Sequence, residues 1–235
     1  MRSVIALTAV LAAAGAAAAD SVDLTYTGSG NGRSFTVVAN GTTTDVFAGQ
    51  LNFAVVNGSG STGVQLNGPL MTYCIDVLEG VGAGQNTYDL AALEDAPVTA
   101  GGIAPAMGAE KAAAIARLYT AAGGDQFTSD NDFAAAFQLA VWEVIADFGT
   151  MGATLDINSG DFEVSSSLNA GTQSVLTGLL AAAADDSVAT FSGLGALTNE
   201  GFQDQLYAVA VPLPGAAGLA AVGLAGVVVT RRRRA

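Results

Sequence analysis

The chain holds a single cysteine, Cys74, in the stretch "MTYCIDV" at 71–77, and no histidine. A thiol, once deprotonated, is a strong nucleophile toward carbonyl carbon. The missing histidine removes the Ser-His-Asp and Cys-His arrangements, His-ligated zinc and the usual general base. One cysteine also excludes cysteine-cluster metal sites. Paired carboxylates remain available for hydrolysis, since Asp and Glu number 21. Cys74 is therefore either a small hydrophobe in the core or a nucleophile whose partner is neither cysteine nor histidine.

The second stretch with chemical content is "FQLAVWEV" at 137–144. On a helix Gln138 shares a face with Ala134, Val141, Trp142 and Ile145, at spacings of three and four. That face is largely apolar, so the Gln138 amide needs a partner. A core helix whose glutamine bonds to backbone is the plain reading of this stretch alone.

Taken together, Tyr73-Cys74-Ile75 and Phe137-Gln138-Leu139-Ala140-Val141-Trp142 resemble the two motifs of the thioester domains of bacterial surface adhesins. The resemblance implies a bond between the Cys74 sulfur and the Gln138 side-chain carbonyl, formed with loss of ammonia. It gives Tyr73 and Trp142 the task of shielding that bond from water. Glutamine is a poor electrophile, and holding a thiol against it away from water raises the effective concentration by orders of magnitude. The product stores an acyl group for an outside amine or hydroxyl, and consumes a thiol that an oxidising compartment would attack. The peptidoglycan sorting signal and stalk domains of the Gram-positive adhesins have no counterpart here. Lys111 is the sole lysine, which leaves the domain few amines of its own to trap such a bond.

The elements around these motifs read as strands first and helices second. "VDLTYTG" at 22–28 and "SFTVVANG" at 34–41 read as strands, as does the stretch from Asp45, where Phe47, Gly49, Leu51, Phe53 and Val55 share one face. "NGSGSTG" at 57–63 reads as a turn or loop. Strands follow at 70–77 and 86–93, the second pairing near the first. Helices are expected at 108–124, 128–149 and 172–184, each with capping or stop residues or good helix formers. "SVATFSGL" and "DQLYAVAV" read as closing strands. The fold class is α+β: β-sandwich or barrel-like strands with an inserted helical segment, plus a C-terminal transmembrane helix.

Residues 1–19 read as a signal peptide, with Arg2 ahead of an apolar run and small residues at its end. Residues 20–208 form the expected thioester-like extracellular domain. Residues 209–235 hold Val211, Pro212, Leu213 and Pro214, an apolar run, and Arg231, Arg232, Arg233 and Arg234. This tail resembles the Val-Pro-Leu-Pro variant of the PEP-CTERM sorting signal of Gram-negative bacteria. That resemblance implies recognition by an exosortase-type transpeptidase, transient anchoring in the inner membrane, and release to the cell surface or extracellular matrix. The arginines would hold their end in the cytoplasm.

Between the two signals only Arg33, Lys111 and Arg117 are basic, so this part carries 3 − 21 = −18. Such a surface repels nucleic acid and anionic lipid. The acidic stretches "GDQFTSDND" and "DINSGDFE" lack the EF-hand pattern and read as a cap and a solvated loop rather than calcium sites, and no cofactor is expected. The expected function is covalent attachment, once per molecule and not as an enzyme, to an amine or hydroxyl on a neighbouring protein, polysaccharide or surface. The alternatives are a non-covalent structural or carbohydrate-binding matrix protein with an inert Cys74, and a secreted hydrolase using acidic pairs.

Overall fold

Alternation of apolar and polar residues gives the first half of the chain the period of a strand. In the computed structural model, which describes residues 20–96, 107–124, 130–149 and 155–209, this half opens with β1 (Ser21–Ala39) and β2 (Thr42–Val56). They meet at a tight turn where Asn40 and Gly41 both take positive φ, 46° and 74°, the backbone that Asn-Gly supplies at least cost. There follow α1 (Gly60–Leu66), β3 (Gly68–Cys74), β4 (Gln85–Ala92), α2 (Gly108–Ala121) and α3 (Asn131–Asp147). The order ends with β5 (Phe162–Val164), α4 (Ala170–Ala184), β6 (Leu194–Thr198) and β7 (Gln205–Ala208). The fold is mixed α+β, and the described residues form four α-helices and one antiparallel sheet of seven strands.

The sheet runs β2-β3-β7-β6-β4-β1-β5, and β2 pairs with β1 as well. The first six strands therefore close on themselves, and β5 extends the far end of β1 at Val37–Ala39. Closure leaves few free edges for another chain to join. The expected face of β2 is found: Gly49, Leu51, Phe53 and Val55 are buried and Phe47 partly so.

Four local expectations are corrected. The stretches 22–28 and 34–41 are one strand, because "GSGNGR" stays in the ladder through register shifts at Tyr26/Gly28 and Ser29/Gly32. Such bulges bend a strand without ending it. Gly32 then lies opposite Gly49, and a Cβ on Gly49 would sit 2.3 Å from the Asn31 carbonyl oxygen. "NGSGSTG" does not stay a loop, since α1 starts at Gly60. "SVATFSGL" joins the sheet only at Leu194. β4 pairs with β1 and β6, not with the 70–77 strand. Pairing partners far apart in sequence are set by packing, which local propensity does not carry.

α3 packs against both strands of the long β1–β2 ribbon and also touches α2 and α4, which pack on each other. Every residue of α3 from Ala134 to Asp147 is buried, so the helix is enclosed on all sides rather than presenting one apolar stripe. Asp130 caps it by accepting from the Asp132 N–H at 2.8 Å. Residues 1–19 and 210–235, with the expected signal peptide, the 211–214 motif, the transmembrane helix and the arginine cluster, lie outside the described residues. Among the described residues no helix is long and apolar enough to cross a membrane.

Candidate functional site

Cys74 is the last residue of β3. A strand residue points its N–H and C=O to the same side, and successive residues alternate. On one side β3 pairs with β7, Tyr73 facing Leu206 and the Ile75 N–H donating to the Asp204 carbonyl at 3.0 Å. On the other side β2 accompanies β3 only as far as the Leu51–Thr72 pair. Cys74 thus reaches the end of the strand with two main-chain groups that no strand takes.

Gln138 takes both. The Cys74 N–H donates to Gln138 Oε1 at 2.8 Å, and Gln138 Nε2 donates to the Cys74 carbonyl at 2.7 Å. A primary amide has the donor and acceptor layout of a peptide group, so the α3 side chain stands in for the missing strand. Both residues are buried, Gln138 completely. The residues read from the sequence as a pair are therefore in direct contact, and the glutamine has the backbone partner that its helix stretch alone suggested.

The thiol turns to the loop that follows. Cys74 Sγ donates to the Asp76 carbonyl at 2.8 Å and accepts from the Asp76 N–H at 3.1 Å. Burial pushes the thiol pKa well above its ordinary value, against the opposing pull of the Asp76 backbone and the Trp142 indole. That loop is pinned by Gln203, whose Nε2 donates to the Asp76 and Glu79 carbonyls at 3.2 and 2.9 Å. Gln205 continues the network, donating to the Gln203 carbonyl at 2.9 Å and accepting from the Thr72 hydroxyl at 2.8 Å.

A cleft of about 350 Å³ leads from the surface to Cys74. Its walls include Tyr26, Phe47, Leu78, Val81 and Trp142, with Asp45 and Glu79 among its polar residues. The Trp142 N–H has no oxygen or nitrogen partner, and the indole is close enough to Cys74 to favour the thiolate. Trp142 thus walls the cleft beside the sulfur. Tyr73 does not line the cleft. Its ring packs on Phe137 at 4.7 Å between centroids, so it steadies the turn of α3 that carries Gln138.

Carboxylates surround the thiol. Burial, with Glu79 and Asp204 nearby, pushes Asp76 up to about 7. Asp204 is raised to about 6, again chiefly by burial. No cation answers them among the described residues, because all three basic side chains are engaged elsewhere. Arg33 pairs with Asp132, Lys111 donates to the Ile145 carbonyl, and Arg117 donates to the Ala183 carbonyl and pairs with Asp186 at 3.2 Å. Lys111 is buried, which lowers its pKa, and its ammonium is held by the Ile145 carbonyl.

Sequence reasoning passed over Asp76, Glu79, Gln203, Asp204 and Gln205, although Asp76 stands in the quoted motif. It also passed over two acids inside α3. Asp147 accepts from the Asp161 and Phe162 N–H groups at 2.9 and 3.2 Å, and Glu143 accepts from the Asp156 N–H at 2.6 Å. They tie down the "DINSGDFE" loop through its amides, while the other Glu143 oxygen is buried without a partner. A signal existed: acids at 143 and 147, one turn apart in a strongly apolar helix, require buried donors. Among the described residues no three acid, cysteine or histidine groups are grouped to hold a metal.

No protein-family model, curated protein or solved structure matches the chain.

Proposed function

We propose that this is an exported surface or matrix protein in which Cys74 and Gln138 form an internal thioester for covalent attachment to an amine or hydroxyl. The observation that carries the reading is the double hydrogen bond between the Gln138 carboxamide and the Cys74 backbone, in a buried seam that a cleft reaches. In the reaction Cys74 Sγ turns from Asp76 and attacks Gln138 Cδ. The S–C bond forms, the C–N bond breaks, and ammonia leaves carrying the thiol proton. The Cys74 N–H already lies on Gln138 Oε1, where negative charge develops at the tetrahedral stage. Fixed contact between the Gln138 amide and the Cys74 backbone keeps the thiol's own residue at the amide, the proximity on which the reaction depends.

The barrel's geometry supports attachment at a distance from the domain's junctions with the two expected signals. Asp20 and Val209 border one surface hollow at the end of β7, whereas Cys74 faces Gln205 at its start. Export, cutting of the 211–214 motif by an exosortase, and delivery to a Gram-negative cell surface or matrix form part of the same proposal. They rest on the sequence resemblance of both termini. The barrel closed by β1–β2 pairing, with α2, α3 and α4 inserted between β4 and β6, is the extracellular unit of this proposal.

A second reading has its own observation. The Cys74 sulfur both donates to and accepts from Asp76, so the cysteine and glutamine satisfy each other and their surroundings without reacting. Cys74 and Gln138 would then be a non-covalent clip in a passive matrix protein. Methylamine separates the two. The thioester reading expects one equivalent to be taken up, as an N-methylamide at Gln138, with one new titratable thiol. No uptake and no new thiol would favour the clip.

A further inference from the structure

The proposed thioester leaves the chemical class of its target open, and the cleft over Cys74 narrows it. Two of its lining residues are acids, Asp45 and Glu79, and none is basic. Asp45 is exposed at the mouth and accepts from the Thr36 hydroxyl at 2.7 Å, which fixes its direction. Glu79 is half-buried deeper in, close enough to raise both Asp76 and Asp204. Each basic side chain of the described residues is committed elsewhere, so this negative field is uncompensated. Much of the remaining wall is apolar, with Tyr26, Phe47, Leu78 and Val81. At the floor the buried Trp142 N–H lacks an oxygen or nitrogen partner beside Cys74.

We propose that this cleft selects a cationic primary amine carried on an aliphatic stem, with Asp45 and Glu79 as the specificity-determining residues. The proposal rests on the thioester reading above. Clefts lined by one sign of charge concentrate ions of the other sign and slow their own. The apolar wall suits a methylene stem, as long charged side chains bury their stems while the head stays polar. Chemically, the ammonium gives one proton to Glu79, and its nitrogen attacks Gln138 Cδ. The N–C bond forms, the C–S bond breaks, and the departing sulfur takes the second proton. An amide at Gln138, a free Cys74 thiol and one proton on carboxylate remain, so atoms and charge balance. The Trp142 N–H is placed to donate to a carbonyl or sulfur lone pair during this exchange.

The test uses the exported chain and follows release of the Cys74 thiol at low salt with three probes of similar length: n-butylamine, 4-aminobutyrate and 1-butanol. All proteins are first weighed intact. Wild type, Asp45→Asn and Glu79→Gln should each be one ammonia light. At matched free-amine concentration, butylamine should react about tenfold faster than 4-aminobutyrate, with butanol slowest. Either substitution should cut the butylamine preference several-fold, and added salt should do the same. Equal rates for the two amines, or a preference unchanged in both variants, would overturn the proposal. So would faster reaction with butanol. Wild type at full mass would remove the thioester reading, and this one with it. That failure is distinct, because it appears in the mass before any probe is added.

Discussion

Gln138 holds Cys74 by its backbone rather than by its side chain: the amide of one is paired with the N–H and C=O of the other at 2.8 and 2.7 Å. The same contact finishes a strand and holds the Gln138 amide against the residue that carries the thiol. The first consequence is structural and independent of any chemistry. In a Cys74→Ala background, where no thioester forms, Gln138→Ala should still destabilise the domain. Two buried main-chain groups lose their partners and a cavity opens, at a cost of about 2–5 kcal/mol. Urea unfolding of the single and double variants measures it. A change within error would mean that water replaces the amide and that the seam is open.

The Gly32–Gly49 crossing should be the least tolerant backbone site in the barrel. A Cβ on Gly49 would meet the Asn31 carbonyl oxygen at 2.3 Å and Gly32 Cα at 2.6 Å, both backbone atoms. Gly49→Ala should cost roughly 2–4 kcal/mol by forcing the ribbon apart. Gly41→Ala meets nothing within 4 Å but must hold a φ of +74°, so it should cost only about 1 kcal/mol. Thermal melts of the two variants rank them, and equal losses would argue against close approach at the crossing.

Stability should fall as pH rises from about 4 to 8. Glu143, buried and facing Asp147 and Asp156, is pushed up to about 8, and Asp76 and Asp204 to about 7 and 6. Across that window the unfolded chain, with ordinary carboxyls near 4, binds fewer protons than the folded one. The slope of unfolding free energy with pH is therefore negative there and levels off above pH 8. Asp132 runs the other way. The bonds from Arg33, Asn169 and Thr172 hold it at about 2, so its contribution is lost only in stronger acid. A maximum near pH 4–5 is expected, and Glu143→Gln should flatten the descent. Urea midpoints at pH 5 and 8 check it, and stability higher at pH 8 in wild type would refute it.

Trp142 walls the cleft beside the sulfur, so it should govern the lifetime of a thioester rather than its formation. Trp142→Phe should still lose ammonia but hydrolyse in water about tenfold faster, because a smaller ring admits solvent. Tyr73→Phe should change this lifetime little, since Tyr73 packs on Phe137 away from the cleft. The rate at which water is regained, followed by mass, separates the two.

Much of this was legible in the residues. The strand period of β2, the caps of α3 and the Gly-Gly stop after α2 are local signals and fell where they were expected. Cys74 and Gln138 were legible as a pair only through their neighbouring residues, because 64 positions separate them. Closure of the barrel was not fixed locally, since β1 must choose β2, β4 and β5 at different points along one strand. Nor was the full burial of α3, because Glu143 and Asp147 go inside only where the amides of the 156–162 loop donate to them, and that loop is brought there by the fold. Gln205 falls in the expected closing strand and Gln203 just before it, and only the fold shows them holding the loop beneath Cys74.

The most direct measurement is the intact mass of the domain 20–210, purified from an exporting host without reductant, beside Cys74→Ala and Gln138→Ala. Wild type lighter than its sequence by one ammonia, with both variants at full mass, is the expected result. Wild type at full mass, with the Cys74 thiol titrating after denaturation, would contradict it and leave the two residues as a non-covalent clip.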